Sequence, residues 1–223
     1  MLTTELTGQA TTHLYELKKN ILVHKDVLNH FLGLQGAAQK AGFNLQIASG
    51  FRSFDRQLDI WNNKYSGNRP ILDQHETPLD LSTLSELEKL YAILHWSALP
   101  GTSRHHWGTD FDIYDPNLLP PRQDLALTVS EYENAGYFSE LTHWLTENMA
   151  LFGFYRPYQS FLGGVAVEPW HISYAPIANE ALQQLKQEDI LSLIDKRVLG
   201  KALIHQELPN IYNKFVVNIN QIS

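Results

Sequence analysis

The 223-residue chain contains no cysteine. That excludes disulfide cross-links, thiolate metal sites and cysteine nucleophiles together. It leaves the redox compartment open, because a cysteine-free protein survives in either environment. Basic residues are also scarce, 17 against 24 acidic ones, for a net charge of −7. A phosphate backbone needs a basic surface, and no basic tract is present, so nucleic acid is excluded as a partner. No apolar run is long enough to span a membrane, and Met1 to Asn20 has no stretch of signal-peptide type. The expectation is a cytoplasmic protein as the sequence stands, or a periplasmic or exported one if a signal segment has been trimmed. Repeats, linkers and low-complexity segments are missing too.

What is present suits a globular protein: 43% hydrophobic residues and five tryptophans. The length allows one well-buried domain over 1–223, with helical extensions at its two ends (1–24 and 181–223). Leu14 and Leu17 on one side suggest a short helix over about Leu6–Lys19. Val27, Leu28, Phe31, Leu34 and Ala38 recur at helical spacing and predict a core helix over about Lys25–Ala41, stopped by Gly42. Leu45–Ala48 alternates like a strand. Ser53 follows as a candidate cap for a helix to about Asn62. After a loop over Tyr65–Pro78, Ser82 or Thr83 caps a helix to about Trp96, with Leu87, Leu90, Tyr91 and Leu94 inside. Further strands are expected at 108–114, 154–158 and 170–174. Helices are expected over Tyr137–Leu151 and Ile177–Ile194, and an apolar tail runs from Lys201 to Ile222.

The chemistry concentrates in Ser103-Arg104-His105-His106-Trp107-Gly108-Thr109-Asp110-Phe111-Asp112. Imidazole and carboxylate are ligands that a borderline cation such as Zn²⁺ accepts. Glu168-Pro169-Trp170-His171 adds one more of each. A catalytic zinc site needs three protein ligands, an open position for water and a nearby base, and the two clusters supply that inventory. In an unbroken strand His106, Asp110 and Asp112 share a face and His105 points away. Gly108 can reset the phase through a turn or bulge, so spacing does not choose between His105 and His106. Arg52 stands at a strand-to-helix junction, where binding residues are common.

At these residues the chain resembles the VanY-type zinc D-Ala-D-Ala carboxypeptidases, the M15 peptidases. Ser103, His105, Gly108 and Asp112 match one motif of that family, and Glu168, Trp170 and His171 a second. Ser49-Gly50-Phe51-Arg52-Ser53 with Gln57 matches a third. The resemblance implies an α+β fold, a small mostly antiparallel sheet flanked by helices (the DD-peptidase/Hedgehog-like zinc peptidase fold), with the peptidase core over about 25–180. It also implies one Zn²⁺ per chain on His105, Asp112 and His171, with Glu168 as catalytic base. Arg52 would hold the substrate carboxylate, with Gln57, Ser103 and Trp170 as further substrate contacts. Asp110 and Trp107 depart from the family pattern, and His106 and Asp110 receive no role from it.

The implied activity is release of a C-terminal D-alanine from a peptidoglycan stem peptide or muropeptide, a DD cleavage. An LD cleavage of recycled tetrapeptides stands second. The rivals are an endopeptidase of phage-lysin type, which needs no clamp such as Arg52, and a non-catalytic zinc module, which needs no Glu168.

Overall fold

The computed structural model describes residues 1–221. Its centre is a four-stranded, fully antiparallel sheet in the order β3 (Gln46–Ser49), β4 (Asp110–Tyr114), β6 (His171–Tyr174), β5 (Phe154–Tyr155). Side chains alternate across a strand, and here both faces of β4 are buried. Ile47, Phe111, Ile113, Ile172 and Tyr174 pack into one core with Phe31 and Leu34 of helix α2 (Leu28–Lys40) and Leu141 and Leu145 of α6 (Ser139–Asn148). The opposite face of the two central strands carries Asp110, Asp112, His171 and Ser173, all buried. A strand row this polar in an interior needs partners for every charge, and the register provides them. Asp112 lies across from His171 and from Ser49, and Asp110 across from Ser173.

A second core is built by helices α3 (Phe54–Tyr65), α4 (Glu86–Trp96), α7 (Ala175–Gln184), α8 (Gln187–Leu193) and α9 (Lys201–Ile211). Ser53 caps α3 by accepting from the Arg56 amide at 3.1 Å. Trp61, fully buried, donates its indole N–H to the Leu199 carbonyl at 3.0 Å and so fastens the C-terminal segment to α3. That segment contains a π-helical turn, Tyr212–Val216. The expected tail reaches Ile222, which lies outside the described residues.

Several elements differ from the sequence expectation. Residues 6–19 do not form a helix: α1 is one turn, Thr3–Leu6, and Gly8 turns the chain at φ 76°. Leu14–Lys18 is instead β1, hairpinned to β2 (Ile21–His24) through Asn20 at φ 66°. Leu14 is the buried side chain of β1. Leu14 and Leu17 alone were too few to distinguish a helical period from a strand. Helix α4 starts at Glu86, because Ser85 and Glu88 cap each other reciprocally there, and Leu87 is left exposed. The expected helix 177–194 breaks at Leu185, whose extended backbone buries its side chain while its carbonyl accepts from Tyr212 Oη at 2.8 Å. The strand expected over 154–158 is only two residues long, and a short helix α5 (Val129–Tyr132) was not foreseen.

Candidate active site

His105 and His106 sit on a 3₁₀ turn, Arg104–Trp107, that ends on Gly108 at φ 66°. A Cβ at position 108 would also come within 2.9 Å of the His24 amide nitrogen, so the turn requires glycine on both counts. The turn aims the two imidazoles in different directions. His105 faces Asp112, with Nε2 at 3.4 Å from Oδ2. Its other nitrogen, Nδ1, lies 2.9 Å from the Gly50 carbonyl and donates to it, which leaves Nε2 free for the site. His106 is turned into the interior. The Gly101 amide donates to its Nε2 at 3.1 Å, so Nδ1 carries the proton and donates to the Arg52 carbonyl at 2.6 Å. Burial pushes the His106 pKa down to about 3. His106 is therefore a neutral strut holding the backbone of Arg52.

Asp112 faces His171 on its other oxygen, with Oδ1 at 3.5 Å from Nδ1. One donor atom from each of His105, Asp112 and His171 fits within a 4.8 Å cluster, with all three residues buried. Ligands about 2.0–2.1 Å from a tetrahedral ion stand about 3.3–3.4 Å apart, and Asp112 brings one oxygen to 3.4 Å from His105 and its other oxygen to 3.5 Å from His171. Two further features fit a cation. Among the described residues, His171 Nδ1 is a buried polar atom without a hydrogen-bond partner. Burial alone would lower the His171 pKa, yet the surrounding carboxylates of Asp110, Asp112 and Glu168 raise it well above the histidine value. The same burial would raise Asp112, but His105 and His171 hold it well below the usual carboxylate range. The pocket is built for positive charge.

Asp110 explains why His171 presents Nδ1. Its Oδ1 lies 3.0 Å from His171 Nε2 and accepts from Arg104 Nε at 2.7 Å. Its Oδ2 accepts from Thr109 Oγ1 at 2.7 Å and Ser173 Oγ at 3.1 Å. This fully buried carboxylate is saturated with donors. Arg104 in turn donates to Ser173 Oγ at 2.7 Å and Tyr155 Oη at 3.2 Å. Sequence reasoning gave Asp110 no role, since its burial depends on a strand register that pairs it with Ser173. Trp107 is a packing residue: its indole donates to the Leu6 carbonyl at 3.0 Å and its ring lies under the Arg104 guanidinium.

Glu168 Oε2 is 3.2 Å from His171 Nδ1, at the edge of the metal-sized cluster. Across the site, Arg52 Nη2 is 3.8 Å from Asp112 Oδ2. Arg52 is held by Gln57, whose Oε1 accepts from Nη1 at 3.0 Å and whose amide donates to the Ala98 carbonyl at 2.7 Å. Gln57 is wholly buried, so its influence on anything in the cleft passes through Arg52. Ser103 lines the cleft beside His105. Trp170 is buried with its ring against Tyr132 at 5.6 Å and contributes one edge to the wall. The cleft has a volume of about 370 Å³, and its wall also includes Lys64, Tyr158 and, from the C-terminal segment, Phe215 and Val216. Those four were not foreseen, because nothing in their local sequence marks them. Among the described residues, no helix is long and apolar enough to cross a membrane.

A family profile described as VanY, D-alanyl-D-alanine carboxypeptidase, matches residues 20–177. An uncharacterised protein of Haemophilus influenzae is 41% identical over 122 residues, which is 53% of this chain and 93% of that protein. Among solved structures, VanYB in complex with D-alanine-D-alanine superposes with a TM-score of 0.55 at 25% identity, covering 82% of this chain and 90% of its own. A vancomycin-resistance D,D-pentapeptidase VanY in complex with Zn(II) gives 0.52 at 25% identity, covering 78% and 88%.

Proposed function

Because the chain belongs to the VanY family of D-alanyl-D-alanine carboxypeptidases, we propose that it is a zinc-dependent carboxypeptidase that releases C-terminal D-alanine from peptidoglycan stem peptides. DD cleavage is the first reading, and LD cleavage of tetrapeptides the alternative. The observation that carries the proposal is the convergence of a buried His105, Asp112 and His171 cluster with Glu168 on one side and Arg52 on the other. A structural zinc site would need neither of the last two. The related VanYB structure with D-alanine-D-alanine supports the choice of substrate.

In this reading His105 Nε2, Asp112 and His171 Nδ1 hold the ion. Zinc, when bound, supplies a Lewis acid that lowers the pKa of water to about 7 and polarises the scissile carbonyl. Glu168 takes the proton from the attacking water at a carboxylate oxygen and returns it to the departing amine. Arg52 pairs with the terminal carboxylate, and its planar fork suits a bidentate contact that lysine could not make. Gln57 and the His106 strut keep Arg52 in place. Asp110 holds His171 in the tautomer that leaves Nδ1 free.

The test is release of free D-alanine from matched penta- and tetrapeptide stems, with and without a chelator. Glu168→Gln should retain the metal and lose turnover by roughly 10²-fold or more. Turnover near the wild-type rate in that variant would remove Glu168 as the base. Preference for tetrapeptide would select the LD alternative. Cleavage within the stem without D-alanine release would select the endopeptidase.

A further inference from the structure

Arg156, directly after β5, is only 4% exposed and does not line the catalytic cleft. We infer that Arg156 is a positioning residue for the reaction: by holding the Pro169 carbonyl it fixes the turn that sets Glu168 against His171. The inference rests on the carboxypeptidase reading, which makes Glu168 the base.

The guanidinium donates from all three nitrogens, and its three acceptors are neutral. Nε donates to the Pro169 carbonyl at 2.9 Å, Nη1 to Thr146 Oγ1 at 2.7 Å and Nη2 to the Thr142 carbonyl at 3.1 Å. Thr142 and Thr146 stand one turn apart on α6, where Thr146 Oγ1 itself donates to the Thr142 carbonyl at 2.8 Å. Two nitrogens therefore grip a single turn of α6, and the third reaches across to the segment Glu168–His171. Burial lowers the Arg156 pKa to about 10. Enclosing a cation among neutral groups opposes folding, and an apolar side chain would join β5 to α6 more favourably. An apolar side chain could not hold a carbonyl.

That carbonyl controls the geometry of the base. The His171 amide donates to the Glu168 carbonyl at 3.1 Å, which closes a β-turn with Pro169 and Trp170 at its centre. The central peptide of such a turn has two orientations, related by a flip. The ring of Pro169 fixes its φ, so the direction of its carbonyl follows ψ, the torsion that swings Glu168 relative to Trp170 and His171. Either side of that peptide is already tied. The Glu168 amide donates to the Tyr158 carbonyl at 3.0 Å, and the Ile113 amide to the Trp170 carbonyl at 3.1 Å. Arg156 ties the middle. Across the turn Glu168 Oε2 stands 3.2 Å from His171 Nδ1, and a change in Pro169 ψ would alter that separation directly.

The experiment measures D-alanine release from a pentapeptide stem at saturating zinc, with a urea midpoint for each variant. Arg156→Lys keeps the cation and replaces the fork by a point donor. Its kcat should fall about 10–100-fold, the scale of a 1 Å misplacement, and its KM should stay within about twofold, because Arg52 is untouched. Thr146→Val weakens the hold on α6 and leaves the Pro169 contact, so it should lower the urea midpoint and keep kcat within about twofold. Pro169→Gly frees the same turn from within and should lower kcat as Arg156→Lys does. The double variant Arg156→Lys/Pro169→Gly should then lose far less than the product of the two single losses. A kcat near the wild-type value in Arg156→Lys, an equal kcat loss in Thr146→Val, or independent losses in the double variant would make Arg156 a purely structural residue. Each overturns the inference and leaves the carboxypeptidase reading standing. If Arg156→Lys does not fold, Pro169→Gly decides: an unchanged kcat there shows that the turn does not set the base. Failure of the wild type to release D-alanine would remove the carboxypeptidase reading and the inference with it.

Discussion

Replacing Asp110 by asparagine tests the polar row of the sheet most directly, because the side chain keeps its shape and loses its charge. In the wild type the carboxylate is fully buried and takes donors from Arg104, His171, Thr109 and Ser173 at 2.7–3.1 Å. Two separable losses follow. The Arg104 guanidinium, 2.7 Å from its partner and equally enclosed, becomes an unpaired buried charge, which costs about 3–5 kcal/mol of stability. His171 also loses the carboxylate that fixes its tautomer, and removing such a partner typically weakens metal binding by about 10–100-fold, roughly 1.4–2.7 kcal/mol. Urea unfolding of the chelator-treated protein reads the first loss, and competition with a chromophoric zinc chelator reads the second. The double variant Arg104→Met/Asp110→Asn separates them. It should recover much of the stability, since methionine removes the unpaired buried guanidinium, and it should not recover the zinc affinity. If Asp110→Asn binds zinc as tightly as the wild type, the carboxylate does not orient His171. If its urea midpoint is unchanged, the Arg104 pair contributes nothing.

Arg52→Ala should cost about 2–5 kcal/mol in kcat/KM, the range for removing one partner of a buried charge pair at a binding site. Amidating the substrate C-terminus should cost the wild type a similar amount and the variant little more, so additive losses would show that Arg52 does not hold the carboxylate. His105→Ala should abolish zinc binding in the chelator competition. His106→Ala should retain the metal and raise KM, because the Gly101 amide and the Arg52 carbonyl lose their partner at about 1–3 kcal/mol each. The reverse result, metal lost from the His106 variant alone, would invert the assignment. Lys64 gives a pH signature: burial lowers its pKa to about 8, and its ammonium donates to Ser97 Oγ at 2.7 Å. Between pH 8 and its ordinary value of 10.5 the unfolded chain holds a proton that the folded chain has released, so stability rises with pH across that window. Lys64→Met should flatten that part of a plot of urea midpoint against pH.

Local patterns in the sequence carried the elements whose signal is itself local. The helical spacing of Phe31, Leu34 and Ala38 identifies α2, and Ser53 marks the start of α3, because apolar period and capping depend on neighbours a few residues away. The motif residues could likewise be collected from the sequence, since their types and order bear the chemistry. The tertiary structure decided which atoms meet. Spacing alone left His105 and His106 equivalent, and a 3₁₀ turn closed by a left-handed Gly108 sent one imidazole to the site and the other under Arg52. Asp112 faces His171, and Asp110 faces Ser173, through a strand register set between segments about sixty residues apart, which no local window contains. The N-terminal hairpin was hidden for a related reason, as Leu14 and Leu17 satisfy a helical and an extended reading alike until β2 is present to pair with β1. Glu76 and Lys64 are ordinary surface residues in the sequence and become walls of one cleft only when the chain brings α3, the loop before α4 and the segment around Glu168 together. Residue type and local period are properties of the sequence, whereas burial, tautomer and counter-ion arise from long-range packing and belong to the fold.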